Sequence, residues 1–125
     1  MISTKAAMAT VAVADFERAR DFYEKTLELK PTGTETRDAA TYATGGTPLF
    51  VYQSQYAGTN QATTVSWDVG GDIKPVLDHL RAKGVTFEHY DFPGVSRDGD
   101  IHDMEGFKLA WFKDPDGNIH ALMGS

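Results

Sequence analysis

Two stretches of this 125-residue chain carry residue types that could do chemistry. The first is His102, Asp103 and Glu105, an imidazole with two carboxylates close in sequence. Such a trio could build an oxygen-rich metal site, or a base oriented by a carboxylate. The second is WFKDPDGNIHALM, residues 111–123, where His120 and Ala121 follow a turn. Within DPDG, proline presets the turn and glycine supplies positive φ, so the tetrapeptide reads as structural. Side chains alternate across a strand, so His120 and Ala121 are expected on opposite faces unless a bulge intervenes. His79 sits off the apolar face of a predicted helix and His89 at a strand end, and both read as surface positions. Asp98, Asp100, Asp103 and Glu105 lack the spacing of an EF-hand calcium loop.

Composition removes whole classes of chemistry. There is no cysteine, which excludes disulfides, thiolate-bound zinc, iron–sulfur clusters and thiol nucleophiles. Any metal would depend on His, Asp, Glu or backbone oxygen. Eighteen acidic residues against twelve basic ones leave a formal charge of −6. No basic patch is visible, so nucleic acid is not an expected partner. No apolar run approaches the roughly 18 residues of a membrane span, and the short apolar N-terminal region, ended by Asp15, does not read as a signal peptide. A cytoplasmic protein without membrane contact is the expectation.

The elements that would position these residues follow from periodicity. Residues 6–14 read as a buried strand, and Asp15 as the N-cap of an amphipathic helix over 16–28. Phe16, Ala19, Tyr23 and Leu27 form its apolar face, and Pro31 and Gly33 close it. Residues 34–54 favour two or three antiparallel strands, and 55–61 have the composition of a linker. The pattern then restarts. Residues 62–69 read as a strand, Asp72 as a second N-cap, and Ile73, Val76, Leu77 and Leu80 as one helical face stopped at Gly84. Strands are expected at 85–90, 107–112 and 118–123, and residues 92–106 read as a long loop. The chain is therefore expected to be α+β. Two βαβββ modules occupy about 5–54 and 62–124, each with one helix on one face of a small sheet.

At this point two stretches resemble a known family. VAVADFERARDFYEKTLEL is similar to the first strand and helix of the vicinal oxygen chelate superfamily, and WFKDPDGNIHAL to its last hairpin. The superfamily includes glyoxalase I, extradiol dioxygenases, fosfomycin-resistance enzymes and bleomycin-resistance proteins. The resemblance covers nearly the whole chain. It implies modules that each curve into half of a barrel-like cavity, and in many members two chains pair to build two such cavities. A homodimer is accordingly expected. In the enzymes a divalent metal sits in the cavity, held from the inward faces of first and last strands.

Carried over residue by residue, the resemblance puts Met8, Thr64 and Ala121 where the enzymes hold His or Gln, His, and Glu. Thioether, hydroxyl and methyl are poor or impossible ligands for such an ion, so neither a metal nor any other cofactor is expected. The resemblance also implies that Phe112 packs against a helix, which turns Trp111 to the concave side. Trp67 by the same parity belongs to core. Met8, Tyr42, Tyr52, Thr64, Trp111 and Ala121 are then the candidate ligand-binding residues of an apolar cavity. The expected function is metal-free binding of a small organic molecule, aromatic or cationic, as bleomycin-resistance proteins sequester a cationic drug. The alternatives are a metal-dependent lyase, isomerase or dioxygenase using His102, Glu105 or His120, and a partner-binding domain with a vestigial pocket.

Overall fold

Asp15 starts the first helix through its side chain. In the computed structural model, which describes residues 2–33 and 35–125, its carboxylate accepts from the backbone N–H of Glu17 at 3.0 Å and of Arg18 at 3.3 Å. Two donors of the first turn are thereby satisfied. Helix α1 runs over Phe16–Arg20 and continues as a wider helical turn over Asp21–Thr26. There the Leu27 N–H reaches back five residues to the Phe22 carbonyl at 2.9 Å. Phe16, Ala19 and Tyr23 are buried, as the predicted apolar face requires. The helical segment ends at Thr26, before the expected stop signals, and Glu28 just beyond it has a left-handed φ of 62°.

The chain divides into two compact units, Met1–Thr59 and Asn60–Ser125. In the first, strands β1 (Ala9–Val13), β2 (Lys30–Pro31), β3 (Ala39–Ala43) and β4 (Leu49–Gln53) form one sheet of order β1-β4-β3-β2. β1 lies parallel to β4, and the other neighbours are antiparallel. Val11, Val13, Ala40, Tyr42, Leu49 and Val51 are buried on one face. Tyr42 stacks on Tyr23 of the helical segment at 6.3 Å, which identifies that face as the helix side. Met1 and Thr34, the latter at the edge of the strand region expected over 34–54, lie outside the described residues.

The second unit contains β5 (Thr63–Asp68), α2 (Lys74–Ala82), β6 (Phe87–Glu88), β7 (Ser96–Asp98), β8 (Ile101–Met104), β9 (Phe107–Lys113) and β10 (Ile119–Gly124). Its sheet has the order β5-β10-β9-β8-β7, with β6 also paired to β9. Here too the first strand lies parallel beside the last. Asp72 accepts from the Lys74 N–H at 3.0 Å, Pro75 occupies the first turn, and Ile73, Leu77 and Leu80 are buried. The hairpin joining β9 to β10 is tied by Asp114, whose Oδ1 accepts from the Asp116 and Asn118 N–H groups, both at 2.9 Å. At its far end β10 passes so close to the 69–73 loop that a Cβ on Gly124 would lie 2.2 Å from Ile73 Cγ2 and 2.3 Å from the Gly71 carbonyl.

Residues 92–106 are not a structureless loop. They hold the hairpin β7–β8, and Glu105 and Gly106, at φ 55° and 89°, make the tight turn into β9. The alternation was invisible because β7 is exposed along its whole length and so carries no apolar period. The second unit therefore elaborates the βαβββ plan with an extra hairpin. Among the described residues no helix is long and apolar enough to cross a membrane.

Candidate functional site

β9 presents two faces with different chemistry. On one, Phe112 packs with Trp67 at 6.2 Å, Phe87 at 6.0 Å and His120 at 5.5 Å, and Arg81 of α2 lies over the Phe87 ring. This is the helix side. On the other, Trp111 packs with Leu109 and Ala121, joined by Tyr90, Ile119 and Met123. Register assigns His102 to the same side, since it stands directly opposite Leu109 in the β8–β9 pair. Its ring meets the Trp111 ring at 4.8 Å and 82°.

Around Trp111 the segment after β6 folds over. Tyr90 approaches its ring at 5.4 Å and Phe92 at 5.8 Å. Trp111 is left only 8% exposed, whereas Phe92 is 46% exposed and forms the solvent side of this cover. The Trp111 indole N–H donates to Thr63 Oγ1 at 3.1 Å, which fixes the ring's orientation from the neighbouring end of β5.

The polar atoms in this cluster are unusual. The Tyr90 backbone N–H donates to His102 Nε2 at 3.0 Å. Nε2 must therefore carry its lone pair, and the ring proton belongs on Nδ1. His102 is fully buried, yet among the described residues Nδ1 has no hydrogen-bond partner, and neither has the buried Tyr90 hydroxyl. Each such group costs roughly 1–3 kcal/mol when left unsatisfied. Burial, reinforced by the Glu88 charge, pushes the Tyr90 hydroxyl above its ordinary pKa, so it retains its proton.

At the margin of the cluster His89 Nε2 donates to Asp100 Oδ1 at 2.7 Å, and Arg81 donates to Asp100 Oδ2 at 2.6 and 3.0 Å. The hydrogen bond from His89, followed by those of Arg81, holds the Asp100 carboxyl below the usual carboxylate range against the opposing effect of burial. The His89 and His102 rings lie 6.4 Å apart.

The sequence-predicted residues are distributed unevenly over this geometry. Trp111 and Ala121 stand directly opposite each other on β9 and β10. His120, opposite Phe112, faces the helix side, where burial pushes its pKa down to about 4. A bulge does occur beside it, but in β5: the register jumps from Ile119–Thr63 to His120–Val65 while pairing with β9 stays regular. Thr64 is the extra residue of that bulge, and it is Thr63, not Thr64, that meets Trp111. In the first unit Met8 is 42% exposed just before β1, and Tyr52 stacks on Phe50 at 5.7 Å on the side away from the helix. Tyr42 cannot line a binding surface. It is fully buried on the helix side, and its hydroxyl donates to Glu24 at 2.7 Å. His102 and Glu105 are also not brought together, because Glu105 sits in an exposed turn. Asp103, on the opposite side of β8 from His102, pairs with Lys108.

Sequence reasoning missed Tyr90 and Phe92. The signal was present: alternation from Phe87, which packs on the helix side, turns Glu88 and Tyr90 toward Trp111.

Among the described residues no three His, Asp or Glu side chains gather closely enough to share a divalent cation. The positions implied by the family offer a thioether, a hydroxyl and a methyl.

Comparison with known proteins adds a family and a fold. The Glyoxalase/Bleomycin resistance protein/Dioxygenase superfamily matches residues 5–122. A glyoxalase family protein from Enterococcus faecalis superposes with a TM-score of 0.73 at 18% identity, covering 98% of this chain and 99% of that one. The bleomycin resistance determinant encoded on transposon Tn5 gives 0.67 at 17% identity, covering 98% of each chain. The lactoylglutathione lyase of Agrobacterium tumefaciens gives 0.70 at 13%, covering 98% and 94%. At these identities the likeness establishes the fold alone. The search of curated proteins found no match.

Proposed function

The chain belongs to the Glyoxalase/Bleomycin resistance protein/Dioxygenase superfamily, and on that premise we propose that it binds a small aromatic molecule on the Trp111 face of its second unit without a metal ion. One observation carries the reading. Trp111, Tyr90, Phe92 and His102 converge on a single face, and two buried polar atoms there lack partners. Apolar walls with a few convergent polar groups are what a small-molecule site requires. The side chains at Met8, Thr64 and Ala121 support the metal-free part, because none is a competent ligand for a hard or borderline cation. Phe92 is the part of the cover that must move to admit a ligand, and its exposure makes that movement inexpensive.

Both tryptophans lie in the second unit. Replacing Trp67 by Phe leaves Trp111 as the sole indole. Titrating this variant with a panel of aromatic aldehydes and aromatic cations is expected to quench Trp111 saturably for a subset of them. Elemental analysis of the purified protein is expected to find no stoichiometric transition metal. Roughly equimolar zinc, iron, nickel or manganese that is lost on His102→Ala overturns the reading in favour of a metal-dependent enzyme.

A further inference from the structure

We propose that the Trp111 face selects aromatic ligands that carry a hydrogen-bond acceptor, a carbonyl or carboxylate oxygen, bound by His102 Nδ1–H and the Tyr90 hydroxyl. The inference rests on the aromatic-binding reading above and narrows it to a ligand class.

A backbone N–H can only donate, so the 3.0 Å bond from the Tyr90 N–H makes His102 Nε2 an acceptor. The single proton of the ring is then on Nδ1, which becomes a donor with no acceptor of its own. Tyr90 contributes twice. Its backbone fixes the imidazole, and its hydroxyl supplies a second buried polar atom without a partner. The two rings are 6.4 Å apart and tilted by 32°, and both contact Trp111. Buried polar groups in folded proteins are almost always paired, so two exceptions on one aromatic face call for a missing partner. That partner must offer lone pairs to Nδ1–H. An ammonium offers none, and its charge would oppose the imidazole donor, although an indole face alone would welcome a cation. The chain's overall charge of −6 does not decide the matter, because the local donor set does. The ligand's flat portion meets Trp111, and its oxygen replaces the lost hydration of Nδ1–H and the phenol.

Calorimetric titration with three probes of one ring system tests this. The probes are 2-naphthoate, 2-acetylnaphthalene and 2-naphthylmethylammonium. The two acceptor probes are expected to bind about ten-fold more tightly than the ammonium, the scale of one hydrogen bond. Tyr90→Phe keeps the ring and removes the hydroxyl. His102→Gln keeps an acceptor for the Tyr90 N–H and removes the Nδ1 donor. Each is expected to weaken the acceptor probes about ten-fold and to leave the ammonium unchanged. Far-UV circular dichroism establishes that both variants fold. Ammonium binding as tight as naphthoate binding, or acceptor affinity unmoved in both variants, overturns this inference while leaving aromatic binding intact. Failure of all three probes to bind removes the aromatic-binding reading as well.

Discussion

Each unit buries a tyrosine hydroxyl, and the two are treated differently. In the first unit Tyr42 donates to Glu24, and Glu24 accepts in turn from Arg20 Nε at 3.2 Å. Burial, then the Glu24 hydrogen bond, pushes the Tyr42 hydroxyl well above its ordinary pKa, so the phenol stays protonated and the contact is permanent. In the second unit the Tyr90 hydroxyl has no partner among the described residues, and His102 Nδ1, on a ring 6.4 Å from the Tyr90 ring, has none either. The backbones follow one plan, a first strand parallel to a last strand with a helix between them in sequence. The faces away from the helix also differ. Thr10, Thr41 and the Phe50–Tyr52 pair share one such face, whereas Trp111, Leu109, Ala121 and His102 share the other. A common topology thus supports one unit in which, among the described residues, the buried tyrosine of the sheet has its partner, and one in which the Tyr90 hydroxyl and His102 Nδ1 are left open. Completed polar contacts hold a structure together, and open ones are where a ligand would be stabilised.

Four measurements bear on that contrast, in order of expected effect. The largest concerns His120, which the second unit buries as a neutral ring. Its folded pKa of about 4 lies below the ordinary 6.5, so the unfolded state binds the proton more readily between those values. Stability is complete above pH 6.5, falls as the pH drops toward 4, and levels off beyond, with a total loss of roughly 3 kcal/mol. Denaturant unfolding followed by tryptophan fluorescence, which reports the second unit alone, measures it. His120→Leu is expected to flatten the curve in that window. Asp100, held below its ordinary 3.8 first by His89, adds stability that disappears only at lower pH, so the two effects separate. An unflattened curve would mean that His120 is not the neutral buried group described.

Tyr42→Phe comes next. It leaves Glu24 without its phenol donor and is expected to cost about 2 kcal/mol, the scale of a hydrogen bond to a charged group. Far-UV circular dichroism reads it. Gly124→Ala is expected to cost about 1–2 kcal/mol, because a methyl there must displace both Ile73 and the Gly71 carbonyl. The smallest effect, with the opposite sign, is Tyr90→Phe. Removing an unsatisfied hydroxyl is expected to be neutral or to stabilise by up to about 1 kcal/mol. A Tyr90→Phe loss as large as that of Tyr42→Phe would erase the distinction between the two tyrosines.

Much of the fold was legible in the residues. Asp15 caps the first helix as read, whereas Asp72 lies one residue before Ile73, the N-cap of the second, and still accepts from the Lys74 N–H. Alternation along 107–112 and 118–123 separated Trp111 and Ala121 from Phe112 and His120, and the β9–β10 register places them on opposite faces. The 92–106 hairpin was not legible, because β7 is exposed and polar along its whole length and carries no apolar period. Tyr42 was assigned to the wrong side of its strand, because a run with Ala40 and Tyr42 on one face and Ala39, Thr41 and Ala43 on the other does not say which face the helix covers.

Local chemistry by itself determined where helices begin, where turns fall and which side chains share a face. Capping, turn propensity and the two-residue repeat of a strand act over a few neighbours, and those neighbours are written in order along the chain. The cluster at Trp111 needed the tertiary structure. It joins β5, the segment after β6, β8 and β9, and whether His102 Nδ1 and the Tyr90 hydroxyl find partners depends on what burial brings beside them. That is a property of packing between distant segments, and no spacing along the sequence encodes it.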